Sequence, residues 1–145
     1  AVEWFKLCFL IPGSVVTSLS RRTYREMCLH PELSLLWVQL MRETYSVPRA
    51  LGVPLETPPA SPWKVMDWLE QADEVAVEGL NEIGRNTAPA MRPSMAQDVL
   101  AGRRSEAAEV IEPLIREARR AGVAVPKVEA AYQLIRGLED GFGTA

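Results

Sequence analysis

Apolar residues recur along most of this chain at the spacing of an α-helix. Between Pro31 and Leu51 they fall three or four positions apart, which is typical of a helix with one buried face. That apolar stripe consists of Leu33, Leu36, Trp37, Leu40, Met41, Val47 and Leu51. Period-2 alternation between hairpin turns is not sustained anywhere, and Val123–Val125 is too short for a sheet. The pattern predicts an all-α, multi-helix bundle.

The first segment, from Val2 to about Leu19, is apolar on nearly all sides and therefore predicts a central, buried helix. Pro12 and Gly13 lie inside it, and proline removes a backbone donor, so a kink or break is expected there. The apolar run falls short of the ~20 residues that a membrane span needs. It also lacks a basic leader, so neither a membrane segment nor a signal peptide is predicted.

Proline, glycine and capping residues predict the other helix boundaries. Helices are expected over 22–29, 31–51, 61–71, 73–83, 94–101, 105–121 and 126–138, with 73–83 either continuing the helix before it or forming a separate one. Loops are expected over 53–62 and 84–92, and the tail over 141–145 is expected to fray. Ser94 and Gln97 have the spacing of a capping box, and Pro113 predicts a bend in its helix.

Composition narrows the class of protein. The 145 residues suit one domain, with 48% hydrophobic and 24% charged residues. A net charge of -3 argues against a nucleic-acid binder. Two cysteines, Cys8 and Cys28, and a single histidine provide neither a disulfide framework nor a zinc site. We expect no bound metal, two buried thiols and a cytoplasmic protein.

Three groups of residues resemble the ketopantoate reductase (2-dehydropantoate 2-reductase) family, in the order of that family's C-terminal domain. The most specific group contains Ser94-Met95-x-x-Asp98, Arg103-Arg104-Ser105-Glu106 and Gly122-Val123-x-Val125-Pro126. The second is Trp4-x-Lys6-Leu7. The third is softer and contains Pro31-Glu32-Leu33, Met41-Arg42-Glu43 and Leu51-Gly52.

The resemblance implies a helical substrate-binding and dimerisation domain over 1–145, similar to the 6-phosphogluconate dehydrogenase C-terminal domain. It implies NADP-dependent reduction of a small 2-keto acid in pantothenate biosynthesis, with an N-terminal nucleotide-binding domain as partner and a homodimer as assembly. Lys6 then matches the catalytic lysine, and Glu106 the glutamate that organises substrate and cofactor. Ser14, Ser94 and Asp98 match substrate-binding positions.

The chain departs from the family pattern at three amides. Leu10 and Ser14 stand where the family has asparagines, and so does Met91. A missing donor in a polar site changes discrimination between substrates. No Gly-x-Gly-x-x-Gly follows a strand, so this chain alone is not expected to transfer hydride. The alternative is a non-catalytic helical interaction module derived from the same family.

Each candidate residue also has a structural interpretation. Lys6 fits a surface lysine that extends from an apolar helix, and Ser94 fits a helix cap. Glu106 is favoured in a first helical turn by the macrodipole, and Asp98 fits a surface acid. The reductase interpretation predicts that Lys6 and Glu106 converge on one cleft, with the helix start at Ser94 as its wall.

Overall fold

A computed structural model describes residues 4–143 of the chain. Within that range the secondary structure is helical throughout, with no strand, as the apolar spacing predicts. A π-helical segment, Lys6–Leu10, precedes eight α-helices. These are α1 (Ile11–Ser20), α2 (Tyr24–Leu29), α3 (Pro31–Ala50), α4 (Val65–Trp68), α5 (Asp73–Arg85), α6 (Ser94–Leu100), α7 (Ala107–Ala121) and α8 (Pro126–Asp140).

The first helix is continuous from Trp4 to Ser20, so Pro12 does not break it. The irregularity lies one turn earlier, where the Ile11 N–H donates to the Lys6 carbonyl across a π-turn. Such turns accommodate a disturbed hydrogen-bond ladder inside a helix. The helix ends at Arg21, which has the left-handed φ of 63°. The predicted residues Val2 and Glu3 lie outside the described range.

Helices α1 and α3 form the centre of the bundle. Helix α1 packs against α2, α3, α6 and α8, and α3 also packs against α5 and α7. The side chains of Val15, Trp37 and Val38 are almost completely buried between these helices. Helix α7 covers the centre with a stripe at helical spacing, consisting of Ile111, Leu114, Ile115 and Ala118. The predicted buried first helix is confirmed.

Trp37 joins α3 to the first helix at the π-turn. Its indole Nε1–H donates to the Phe9 carbonyl at 3.1 Å, and its ring stacks on Phe9 with centroids 5.1 Å apart. The Tyr24 ring contacts the Trp37 ring edge-on, with centroids 5.4 Å apart. A Cβ at Gly13 would lie only 2.8 Å from Trp37 Cζ2. Gly13 is therefore the residue that lets the indole lie against the helix.

Several predicted boundaries are wrong. Of the helix predicted over 61–71, only α4 (Val65–Trp68) is helical. It starts later because Ser61 Oγ bonds within its own turn to the backbone of Trp63. Helix α5 continues through Gly84, which was expected in a loop. Gly84 packs so tightly on α2 that an added Cβ would lie 2.6 Å from Cys28 Cβ. Gly52, with φ of 72°, ends α3 as predicted.

The predicted capping box at Ser94 is also wrong. The N-cap of α6 is Pro93, and no side chain caps this helix; the Gln97 amide instead donates to the Arg92 carbonyl at 2.9 Å. A capping box does occur at α2, where Thr23 and Glu26 bond reciprocally. Those bonds with Thr23 are the main cause that lowers the pKa of Glu26.

Candidate functional site

Lys6, Leu10 and Ser14 recur every four residues and follow one side of the first helix. Lys6 and Ser14 are half-buried and Leu10 is 45% exposed, whereas Phe9, Ile11, Pro12 and Gly13 between them are buried. The Ser14 hydroxyl donates to the Leu10 carbonyl at 3.0 Å. The Lys6 ammonium has no hydrogen-bond or ion-pair partner among residues 4–143. This side of the helix therefore carries a cationic donor that no other residue of the described range engages.

Ser94 is the exposed first residue of α6, and its hydroxyl makes no capping bond. Asp98 lies one turn later and accepts from Arg103 Nη2 at 3.1 Å and from Arg103 Nε at 3.3 Å. The Arg103 N–H also donates to the Asp98 carbonyl at 2.9 Å. Asp98 thus holds the loop between α6 and α7, while the Ser94 hydroxyl has no hydrogen-bond partner within residues 4–143.

Glu106 is exposed and occupies the N-cap position of α7. The preceding residue, Ser105, accepts from the Ala107 N–H at 3.2 Å and donates its own hydroxyl proton to Glu139 Oε1 at 2.5 Å. Arg104 pairs with Asp140 at 2.6 Å, which lowers the pKa of that aspartate. The end of α8 therefore anchors the loop that presents Glu106.

Packing brings the elements that carry these residues into contact. Helix α1 packs on α6, the helix of Ser94 and Asp98. The π-helical segment that begins at Lys6 touches α7, the helix that follows Glu106. The convergence of the Lys6, Ser94 and Glu106 side chains on one cleft stays a prediction.

Two residues of the softer sequence match have clear structural roles. The Arg42 guanidinium donates to the carbonyls of Leu69 and Gln71 at 2.7 and 2.6 Å and pairs with Asp73. The Glu43 carboxylate accepts from the backbone N–H groups that begin α8, at Lys127 and Val128. A carboxylate there replaces a missing helix cap. This part of the motif holds the fold together.

The described part of the chain has few features that suit metal binding or thiol chemistry. Residues 4–143 contain no group of three or more histidine, cysteine, aspartate or glutamate side chains arranged to bind a metal ion. Cys8 and Cys28 are free and buried, and burial raises the pKa of each thiol to about 12. Thiolates are the reactive form of cysteine, so both side chains are packing residues at neutral pH.

Sequence reasoning missed three contacts that shape this region. They are the Trp37 bond to the π-turn, the Ser105–Glu139 bond and the Glu43 cap of α8. The adjacent Pro12 and Gly13 signalled a close approach to the first helix. Nothing local to Glu139 or Glu43 identified their partners, because these lie 34 and about 84 residues away in sequence.

The fold is that of the 6-phosphogluconate dehydrogenase C-terminal-like helical domains, and the site residues lie on and between its helices. The chain belongs to the family described as ketopantoate reductase PanE/ApbA C terminal, which matches residues 1–139. The match is to the C-terminal domain of that family. No curated protein matches the chain in sequence. No helix within residues 4–143 is both long and apolar enough to cross a membrane.

Solved structures share this fold. A dimeric ketopantoate reductase from Staphylococcus aureus has 21% sequence identity and a TM-score of 0.71; the alignment covers 97% of this chain and 43% of that one. A PanE/ApbA family ketopantoate reductase from Ralstonia eutropha JMP134 has 23% identity and a TM-score of 0.68, with 94% and 40% covered. A D-mandelate dehydrogenase with NADH and anilino(oxo)acetate has 15% identity and a TM-score of 0.73, with 97% and 52% covered. The chain thus spans about half or less of these proteins.

Proposed function

We propose that this chain is the substrate-binding half of an NADPH-dependent reductase that converts a 2-keto acid to a 2-hydroxy acid. The observation that carries the proposal is Lys6. It stands at the family's lysine position on a buried helix, half-buried, with no partner for its ammonium among residues 4–143. Lysine ammonium groups are strongly hydrated, so a partly buried lysine with no partner among residues 4–143 is a candidate to bind a negatively charged ligand group.

Reduction places negative charge on the ketone oxygen as hydride adds to the carbonyl carbon, C2. A cationic donor at that oxygen stabilises the transition state and then supplies the proton of the product hydroxyl. We assign that role to Lys6, whose ammonium gives up one proton and is then reprotonated from solvent. Ser94 and Ser14 provide hydroxyls for the substrate's carboxylate and polar groups, and Asp98 orders the wall through Arg103.

The described residues do not form a dinucleotide-binding fold, since they contain no strand and no glycine-rich phosphate loop. When bound, NADPH supplies the hydride that reduces C2. We propose that an N-terminal nucleotide-binding domain holds most of the cofactor and that Glu106 contributes from this chain. Glu106 is suited to this because it is exposed at a helix start.

The test is reduction of 2-keto acids by the natural full-length protein, or by this chain together with its cognate nucleotide-binding half. NADPH consumption is followed with ketopantoate and a panel of other 2-keto acids. We expect turnover that Lys6→Ala lowers by about 10²- to 10⁴-fold, the usual range for losing a general acid. Arg49→Ala removes an exposed cation elsewhere and is the matched control. An intact protein that consumes no NADPH with any 2-keto acid contradicts the proposal.

A second candidate function rests on two exposed apolar side chains. Leu10 and Met91 are 45% and 40% exposed and stand where the family has amides. Exposed apolar side chains in a former polar site favour a protein contact over a keto acid. This candidate is a non-catalytic interaction module, and it predicts no keto-acid reduction even when the nucleotide-binding half is present.

We further propose that the chain forms a homodimer. An apolar groove of about 350 Å³ runs between α1, α3 and α8, and Leu134 on its rim is 62% exposed. Covering such a surface is favourable. Light scattering at high concentration should show a dimer that Leu134→Glu weakens, whereas Val75→Glu, at an exposed site outside the groove, should not. A monomer at all concentrations contradicts this proposal.

A further inference from the structure

Glu139 is the only charged residue among residues 4–143 that is buried, with 2% exposure. Its Oε1 accepts from the Ser105 hydroxyl at 2.5 Å and from the Ser105 N–H at 3.2 Å. Removing a carboxylate from water is unfavourable unless hydrogen bonds compensate. A leucine or methionine would fill the space without that cost, so the carboxylate indicates a role for its two bonds.

Those bonds fix the start of α7. Ser105 Oγ donates to Glu139 and, at the same time, accepts from the Ala107 N–H at 3.2 Å. Ser105 and Ala107 flank Glu106, so the backbone is anchored on both sides of it. Alongside, Arg104 pairs with Asp140, but both side chains are more than half exposed, so this pair contributes little. The buried Glu139–Ser105 link is the one that determines where Glu106 lies.

We propose that Glu139 is a positioning residue for the reaction: through Ser105 it fixes the backbone at Glu106, and so directs the Glu106 carboxylate toward substrate and cofactor. This inference rests on the proposed function, in which Glu106 contacts these molecules. The position of the Glu106 carboxylate should affect the reaction rate, because a displacement of about 1 Å in a catalytic site can lower the rate by about 10²-fold. A loop held only by exposed ion pairs does not supply such positional precision.

The first test measures backbone hydrogen exchange in this 145-residue chain. Glu139→Gln keeps an acceptor and loses the charge, and Glu139→Met loses both. Ser105→Ala removes the hydroxyl, whereas Ser105→Thr keeps a hydroxyl at this position. We expect the Ser105 and Ala107 amides to exchange about tenfold faster in Glu139→Met and Ser105→Ala, the equivalent of one lost hydrogen bond. Glu139→Gln should be intermediate and Ser105→Thr near wild type.

Glu129→Gln is the matched control, because it changes a partly exposed carboxylate on the same helix, whose one ion pair within residues 4–143 spans 3.8 Å. It should leave both amides unchanged. Unchanged exchange in Glu139→Met would overturn the inference. If Glu139→Met does not fold, Ser105→Ala and Glu139→Gln still test the same link from its two ends.

The second test measures catalysis in the natural full-length protein, below the unfolding temperature of each variant. Glu139→Gln should lower kcat/KM by about 10- to 100-fold. The double variant with Glu106→Gln should be no worse than Glu106→Gln alone, because both changes remove the same interaction. If the double variant instead loses kcat/KM by the product of the two single losses, Glu139 only supports the fold, and the inference is overturned. Altered exchange without any keto-acid reduction would refute the proposed function and, with it, the catalytic part, while the backbone anchoring would stand.

Discussion

Replacing Gly13 with alanine tests the packing that holds the helix of Lys6. A Cβ at this position would lie 2.8 Å from Trp37 Cζ2 and 2.9 Å from Cε2, well inside van der Waals contact. The indole is completely buried and bonded to the Phe9 carbonyl. It therefore has no space to retreat without stretching that bond, and overpacking of this kind costs about 1–3 kcal/mol.

Alanine also gains about 0.5–1 kcal/mol over glycine in a helix interior. We expect the clash to win, so that Gly13→Ala lowers the free energy of unfolding by about 0.5–2 kcal/mol. Gly137→Ala is the matched control, since Gly137 is inside α8 and an added Cβ meets nothing within 4 Å. It should raise stability by about 0.5–1 kcal/mol.

Urea denaturation of the three proteins gives the two differences. The Trp37 indole N–H resonance should shift in Gly13→Ala, because its bond to Phe9 changes, and stay in place in Gly137→Ala. Two variants that stabilise the chain equally would refute the close approach of Trp37 to the first helix. The interpretation that the π-turn is stabilised by Trp37 packing against it would then be wrong as well.

Three further predictions concern caps, buried polar groups and pH. Glu43→Ala should cost about 1–2 kcal/mol by uncapping α8, and Glu43→Gln less; equal urea midpoints for all three proteins would contradict the cap. The hydroxyl of Thr44 is buried without a partner among residues 4–143, so Thr44→Val should raise the unfolding free energy by about 1 kcal/mol, and a lower melting temperature would contradict this. The pKa of Cys8 and Cys28 rises from 9.0 to about 12 on folding, so the native state favours the neutral thiols. Their contribution is complete below pH 9 and is lost as pH rises from 9 to 12, and Cys8→Ala/Cys28→Ala should flatten that decline in thermal melts.

The helical fold could be predicted from sequence because each long helix carries its own evidence. The apolar stripe of α3 and the prolines and glycines at its ends specify that helix without reference to the rest of the chain. The same holds for α7, which ends at Gly122 with φ of 70°. Local spacing failed at 61–71 and at Ser94. At 61–71 the Ser61 hydroxyl bonds within its own turn, and at the start of α6 the Gln97 amide donates to the Arg92 carbonyl. Such local bonds compete with a helical cap.

The candidate site was only partly predictable. Lys6 and Glu106 are candidates by resemblance, because their neighbours in sequence form specific motifs, and their roles stay predictions. Glu139 could not be singled out from the sequence, since its burial and its bond to a residue 34 positions away leave no local pattern. The π-turn was likewise unpredicted, because Pro12 signals a disturbed helix without specifying how the disturbance is accommodated.

The most direct test of the reductase account is a crystal structure of the natural full-length protein with NADP and a 2-hydroxy acid. The account predicts that Lys6 Nζ lies within about 2.6–3.2 Å of the hydroxyl oxygen and that the Glu106 carboxylate borders the same ligand. A ligand bound away from both side chains, or Lys6 and Glu106 facing separate surfaces of the bundle, would contradict it.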